Sequence, residues 1–198
     1  MAVQNAHAPE LSQSRMAGAM PRPIEASAEV VDMRENGIVS DAEFKAVLRQ
    51  VVSSVAVITA RSGKQRNGLT ATAVCSVSAE PPTMLVCVNR SATAEGIIAD
   101  SGSFAINFLT EEQHGIARLF STSKLGSDER FREGKWLSMV TGAPVLDGAV
   151  ASFDCRVEDR ILSGTHHIYI GRVLAVTSLD QDALLYRDGL FRRLAAVG

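Results

Sequence analysis

The feature that most constrains this chain is a succession of strand-like segments that does not alternate regularly with helices. Ser54–Ala60 reads Ser-Val-Ala-Val-Ile-Thr-Ala, a β-branched run bounded by polar residues. Arg61 to Gly68 follows as a polar hairpin loop, and Leu69 to Ser78 is a second strand rich in Thr, Val and small residues. Pro81-Pro82 interrupts the chain. Thr83–Val88 is then nearly continuously apolar, as expected of a strand buried on both faces. Phe104–Leu109 is another strand, residues 150–162 and 166–178 form two long ones, and a short one lies at 184–187 before the turn at Asp188-Gly189. Parallel doubly wound sheets need a helix after almost every strand. Here the helices are few insertions: about 42–52 with Phe44, Val47, Leu48 and Val51 on one face, Ser91 or Thr93 to Asp100 ended by Gly102, and Thr110 to Phe120, where Gln113 completes a capping box. The pattern predicts a mainly β fold with helical insertions, an antiparallel barrel. The stretch from Ser121 to Gly148 reads as polar and irregular.

A length of 198 residues suits one domain plus a tail. Residues 1–40 carry Ala, Gln, Ser, Pro and Met without a period and read as a loosely ordered N-terminal extension; residues 41–198 form the domain. With a net charge of -2 the chain lacks the basic face of a nucleic-acid binder. No apolar run reaches the length of a membrane span, and the N-terminus lacks a secretory apolar stretch, so a cytoplasmic location is expected. Cys75, Cys87 and Cys155 are odd in number, match no zinc spacing and sit in apolar strands, which reads as three buried free thiols.

The familiar catalytic signatures are missing. No G-x-G-x-x-G follows a strand, no phosphate loop ends in Gly-Lys-Ser/Thr, and no H-E-x-x-H occurs. Ser121-Thr122-Ser123-Lys124 spells S-x-x-K without its companion motifs. What remains is subtler. Gly68-Leu69-Thr70-Ala71-Thr72-Ala73 and Ser76-Val77-Ser78 offer small and hydroxylated residues, which let a ligand approach main-chain N–H groups. Asn89, Ser91 and Thr93 stand where a strand hands over to a helix, a place that favours a phosphate. Each of these also has an ordinary reading as a Thr-rich strand or a helix cap.

The order of these pieces resembles the flavin reductase-like, FMN-binding split-barrel family, over residues of about 44 to 194. The matching stretches are Phe44, Val55–Thr59, Gly68–Ala73, Ser76–Ser78 with Pro81-Pro82, Phe104–Asn107, Phe120, Arg130-Phe131 with Trp136, Gly142–Pro144, His166 with Ile168 and Gly171, and Leu185-Tyr186. Two positions depart from the family's habit: Ser54 stands where Gly is common, and Ala183 where Pro is common. The resemblance implies a six-stranded split barrel, a homodimer, and FMN or FAD in a groove near the subunit interface. It further implies NADH or NADPH as hydride donor and reduced flavin passed to a flavin-dependent monooxygenase component, with no nucleic acid and no membrane. It carries over Thr70, Ala71, Thr72, Ala73, Ser76, Val77 and Ser78 to the ring, and Asn89, Ser91 and Thr93 to the ribityl phosphate. Phe104 and Asn107 lie beside them, Lys124 is a phosphate partner, His166 stands on the nicotinamide side, and Tyr186 stacks on or closes the pocket. In a strand His166 and His167 point to opposite faces, so only one of them can face the groove. No metal and no side-chain acid, base or nucleophile is expected, because the flavin carries the chemistry. The same barrel also suits a non-enzymatic FMN electron carrier, a pyridoxamine phosphate oxidase, or a plain interaction barrel.

Overall fold

The computed structural model describes residues 39–196; the expected N-terminal extension falls almost wholly outside them. Chain order begins with α1 (Asp41–Leu48), β1 (Ser53–Ser54), β2 (Ala56–Ser62), β3 (Gln65–Ala71), β4 (Val74–Ala79) and β5 (Pro82–Asn89). It continues with α2 (Thr93–Ser101), β6 (Ser103–Phe108), a 3-10 turn at Glu111–Gln113, α3 (His114–Ser121) and α4 (Ser127–Arg130). Strands β7 (Trp136–Ser138), β8 (Pro144–Leu146), β9 (Ala151–Ser163), β10 (His166–Ser178), β11 (Leu185–Arg187) and β12 (Leu190–Arg192) complete it.

The main sheet runs β3-β2-β6-β9-β10-β5-β4 and is antiparallel throughout, seven strands where six were expected. Its two edge strands, β3 and β4, are consecutive in sequence and joined by Thr72-Ala73 alone. Three virtual bonds of 3.8 Å reach only about 11 Å, so the sheet must curl until its edges nearly meet. They do not pair. The result is a barrel with a slit, and the slit opens at Thr72-Ala73.

Burial on both faces explains the apolar run of β2. Ala56, Ile58 and Ala60 point into the barrel with Val86, Val88, Phe104 and Tyr169, and Ile97 and Ile98 of α2 close that core. Val55 and Val57 point the other way, into a second core with Leu109, Phe120, Phe131, Leu146 and Leu184. There Phe120, Phe131 and Trp136 form a triangle with ring centroids 4.8–5.4 Å apart.

Several sequence expectations need correction. The hairpin loop at 61–68 is a two-residue turn, with β2 and β3 paired out to Ser62↔Gln65 and Gly63 at φ +57°. The single strand at Leu69–Ser78 is two strands, and of the three free thiols only Cys155 is buried, Cys75 on the edge strand β4 being exposed. The irregular stretch from Ser121 to Gly148 carries α4, β7 and β8 and supplies part of the second core. Arg130 organises it: the guanidinium is 5% exposed and donates to the carbonyls of Thr122 (2.7 Å), Phe120 (2.9 Å), Leu125 (3.2 Å) and Gly68 (3.4 Å). Two of those carbonyls cluster at the C-terminus of α3, where a cation completes unpaired acceptors and favours the dipole. The 42–52 helix ends at Leu48, and its apolar face is left open, with Phe44 59% and Val47 69% exposed. The Thr110–Gln113 capping box is present as expected, but it opens the 3-10 turn at Glu111–Gln113 that precedes α3.

Candidate functional site

At the slit the main chain is unusually available. The Thr72 carbonyl accepts from the Val74 N–H and the Ala73 carbonyl from the Cys87 N–H, 3.1 and 3.0 Å. The amide N–H groups of Thr72 and Ala73 find no acceptor among the described residues. Both residues are exposed and line a groove of about 680 Å³ with Lys45, Arg49, Ser53 and Tyr186. Thr70, Ala71 and Thr72 also line an adjoining hollow of about 250 Å³ with Ser121, Tyr186 and Phe191. The Thr70 hydroxyl is committed to the Ala117 carbonyl, 2.7 Å, so it anchors β3 to α3 and offers a ligand only lone pairs.

Register places a second group on the same wall. Ala73 abuts Cys87, and Asn89 lies two residues further along β5, about 7 Å away on the same face. Asn89 is opposite His166 of β10, so Ala73, Cys87, Asn89 and His166 share the outer face of the β4–β5–β10 wall. Asn89 Oδ1 accepts from both the N–H and the hydroxyl of Ser91, 2.9 and 2.8 Å, which shapes the turn into α2. Thr93 opens α2 and is exposed. His166 Nδ1 is paired with the Thr165 hydroxyl at 2.9 Å.

His167 takes the other face, as strand alternation requires. Its Nδ1 and the Tyr169 hydroxyl both lie 2.7 Å from Glu95 Oε1 of α2, with Arg160 at 3.7 Å. Burial would raise the Glu95 carboxyl, but the hydrogen bonds from Tyr169 and His167 and the nearby cations hold it below its ordinary value. Burial first, and then the hydrogen bond to Glu95, push the Tyr169 hydroxyl up to about 12. The network ties α2 to β10 and so fixes the helix start relative to His166. Sequence reading missed it, because no spacing links Glu95 to residues 167 and 169.

Other expected site residues are placed elsewhere. Phe104 is fully buried in the barrel core. Asn107 is also fully buried; its amide donates to the Val57 carbonyl (3.0 Å) and Thr59 Oγ1 (3.3 Å), and its oxygen accepts from the Leu146 N–H and the Ser152 hydroxyl. Four partners leave nothing for a ligand, so Asn107 stitches β2, β6, β8 and β9 together. Ser76, Val77 and Ser78 line a different hollow, of about 320 Å³, with Met84, Phe153 and Val176. A bulge between Ser76 and Ser78 turns Val77 outward, 51% exposed. Lys124 is exposed in the loop after α3. Gly68, read as ligand-facing, is buried against Phe120 and the Ile58 carbonyl. The cationic pair of Lys45 on α1 and Arg49 just past its end was missed, although its i, i+4 spacing is a helix-face signal.

A flavin needs donors for the electronegative edge of its ring, a flat open wall, and polar groups for its phosphate. The two amides, the outer face of β4–β5–β10 and the Asn89–Thr93 turn meet those needs. Comparison with known proteins shows the family. Residues 48–195 match the flavin reductase-like domain. An FMN reductase (NADH), RutF, of Stutzerimonas stutzeri is 43% identical over 145 residues, 73% of this chain and 83% of that protein. BorF, the flavin reductase component of a bacterial two-component tryptophan halogenase, superposes with a TM-score of 0.73 at 32% identity, covering 80% of this chain and all of BorF. The NADH:FAD oxidoreductase SgcE6 of Streptomyces globisporus C-1027, solved with NAD and FAD fragments, gives 0.72 at 29% identity, over 85% of this chain and 98% of that one. The split-barrel expectation is thereby borne out in all but strand count, and the chain belongs to the flavin reductase-like family of oxidoreductases.

Proposed function

We propose that this protein is an NADH-dependent FMN reductase that takes up FMN from solution, reduces it and releases it to a separate flavin-dependent monooxygenase. The observation that carries the reading is the pair of amides at Thr72 and Ala73, which have no acceptor among the described residues and belong to residues lining an open groove where the barrel's edge strands part. Bound there, the flavin supplies the hydride-accepting chemistry. The protein's part is placement. The Thr72 and Ala73 N–H groups hold the electronegative ring edge and stabilise negative charge there. The Asn89–Ser91–Thr93 turn takes the ribityl phosphate. His166, on the same face, meets the nicotinamide side, and Tyr186 (39% exposed) borders the groove. The gain is proximity and orientation rather than proton transfer.

The groove is shallow and its lining exposed, which supports exchangeable flavin over a permanently held group. The RutF relative's name supports FMN and NADH over FAD and NADPH. The bare apolar face of α1 and the half-buried outer face at Ile168 and Ile170 support a homodimer in which a second copy covers both. The test is steady-state NADH oxidation at catalytic protein concentration with FMN, FAD and riboflavin. Turnover that depends on added free flavin is expected, with His166→Ala raising the KM for NADH. Flavin retained stoichiometrically through long dialysis, without turnover, would replace this reading with an electron carrier.

A further inference from the structure

Helix α2 begins without a cap of its own. Its N-cap residue is Ala92, which has no side-chain acceptor, and the Ala92 N–H is already bonded to the Asn89 carbonyl at 3.0 Å. The N–H of exposed Thr93 and that of Ala94 behind it find no acceptor among the described residues. Glu95 stands third in the helix, the position from which a carboxylate ordinarily turns back over the first turn of its own helix. It does not do so here. Its Oε1 lies 2.7 Å from both the Tyr169 hydroxyl and His167 Nδ1, with the Arg160 guanidinium at 3.7 Å. The side chains of Glu95 and His167 are 14% and 15% exposed, so their contact is largely sheltered from water.

Two anions therefore have a claim on one helix start. A phosphate brought in by the flavin would use the uncapped amides and the dipole of the first turn. The Glu95 carboxylate is tethered to that same turn, so it competes at a high effective concentration unless something holds it elsewhere. Tyr169 and His167 are that hold. Both belong to β10 and take the face opposite to His166, so they draw the carboxylate onto the sheet and off the helix end. Arg160, beyond hydrogen-bond reach, adds attraction without fixing direction.

We propose that Glu95 is a built-in competitor for the flavin phosphate, and that Tyr169 and His167 are positioning residues which keep it off the start of α2. The proposal rests on the reading that the Asn89–Thr93 turn takes that phosphate. Its consequence is an inverted pattern of losses. Removing Glu95 costs no flavin affinity. Removing the two residues that hold it does cost affinity, and only for a flavin that carries the phosphate.

The test reads affinity without turnover, from the change in flavin fluorescence on binding to the whole protein. FMN is compared with riboflavin, which lacks the phosphate, and the quantity followed is the ratio of their dissociation constants. A His167→Leu/Tyr169→Phe double variant should lose about fivefold of the preference for FMN, and adding Glu95→Ala should restore it to within about twofold of wild type. Glu95→Ala alone should leave the preference at or above that of wild type. A network that served only stability would give a triple variant at least as impaired as the double. Melting curves show which variants are folded. If the double variant is not, Tyr169→Phe alone, which keeps the ring in the core, should lose about threefold and Glu95→Ala should reverse it. An unchanged preference on loss of the hold, no rescue by Glu95→Ala, or a loss on Glu95→Ala alone overturns the proposal. A wild type that does not prefer FMN to riboflavin overturns the phosphate reading itself, and this proposal with it.

Discussion

Gly68 offers a sharp test of how rigidly the proposed flavin cradle is held. It sits in β3 opposite Thr59, five residues after the turn and two before Thr70. A Cβ built there would lie 2.6 Å from the Ile58 carbonyl oxygen and 2.7 and 2.9 Å from two carbons of the Phe120 ring. The carbonyl would have to retreat by roughly 0.8 Å to restore ordinary contact, and it belongs to a strand locked on both sides by β3 and β6. Stretching the ladder beside it forfeits one or two hydrogen bonds at about 1 kcal/mol each, and crowding the Phe120 triangle adds about 1–3 kcal/mol. The unfolded-state gain of Gly→Ala returns somewhat under 1 kcal/mol. Gly68→Ala should therefore cost about 3 kcal/mol net, or a fall in Tm of roughly 6–12 °C at this size.

Urea unfolding without flavin measures the stability loss, and the KM for FMN should rise because Thr70 to Ala73 follow directly along the chain. Phe120→Leu should relieve only the ring contact, so a double-mutant cycle should show favourable coupling of about 1 kcal/mol without full rescue. Gly63→Ala is the control. It meets nothing within 4 Å but has φ +57°, so it should cost about 1 kcal/mol and leave KM alone. A loss under about 1 kcal/mol for Gly68→Ala, or full rescue by Phe120→Leu, would refute the claim that the backbone of β2 is the immovable party.

Arg130→Met should destabilise by about 3 kcal/mol, read by chemical denaturation, because four carbonyls lose their donor; Lys should not restore it, lacking the planar fork. Tyr169 is raised in the folded protein to about 12, so its contribution to stability is whole below the ordinary tyrosine value near 10 and drains as pH climbs from there towards 12. Tyr169→Phe should flatten that alkaline limb in pH-dependent melting. Glu95 is lowered, so its contribution is present above the ordinary value of 4.5 and is lost as pH falls below it; Glu95→Gln should shrink the acid limb. Gly96→Ala, in α2 with nothing within 4 Å of the new methyl group, should stabilise by about 0.5–1 kcal/mol.

Much of this fold was legible because its strands are buried on different numbers of faces. Val55–Ala60 and Thr83–Val88 read as continuous apolar runs, and both proved to be inner strands of the main sheet. Gly102, with φ +63°, ended α2 as read. The break at Thr72-Ala73 was invisible because nothing in Leu-Thr-Ala-Thr-Ala-Val forbids a strand; the interruption is imposed by closure of the sheet. The fold of residues 121–148 was hidden for a related reason. Its order depends on Arg130 reaching carbonyls up to 62 positions away in sequence, and no local pattern encodes such a reach.

The candidate site divides along the same line. Where side chains were singled out by residue type, the structure puts Asn89 and His166 on one face, with Ser91 hydrogen-bonded to Asn89 in the adjoining turn. Phe104 and Asn107 were misplaced because their neighbours in sequence are site-like while their own side chains point inward; an asparagine with two donors and two acceptors is as useful for joining four strands as for holding a ligand. The cradle itself is main chain, and main chain carries no residue signature. Its availability is a property of topology. Here the two edge strands diverge at the join instead of pairing as a hairpin, so the amides there stay open whatever the side chains are. It follows that Thr72→Ala and Ala73→Ser should leave the KM for FMN within about twofold, since both keep the N–H, whereas Ala73→Pro removes one donor and should raise it about tenfold. An Ala73→Pro enzyme with unaltered flavin kinetics would mean that the ring is held by side chains after all.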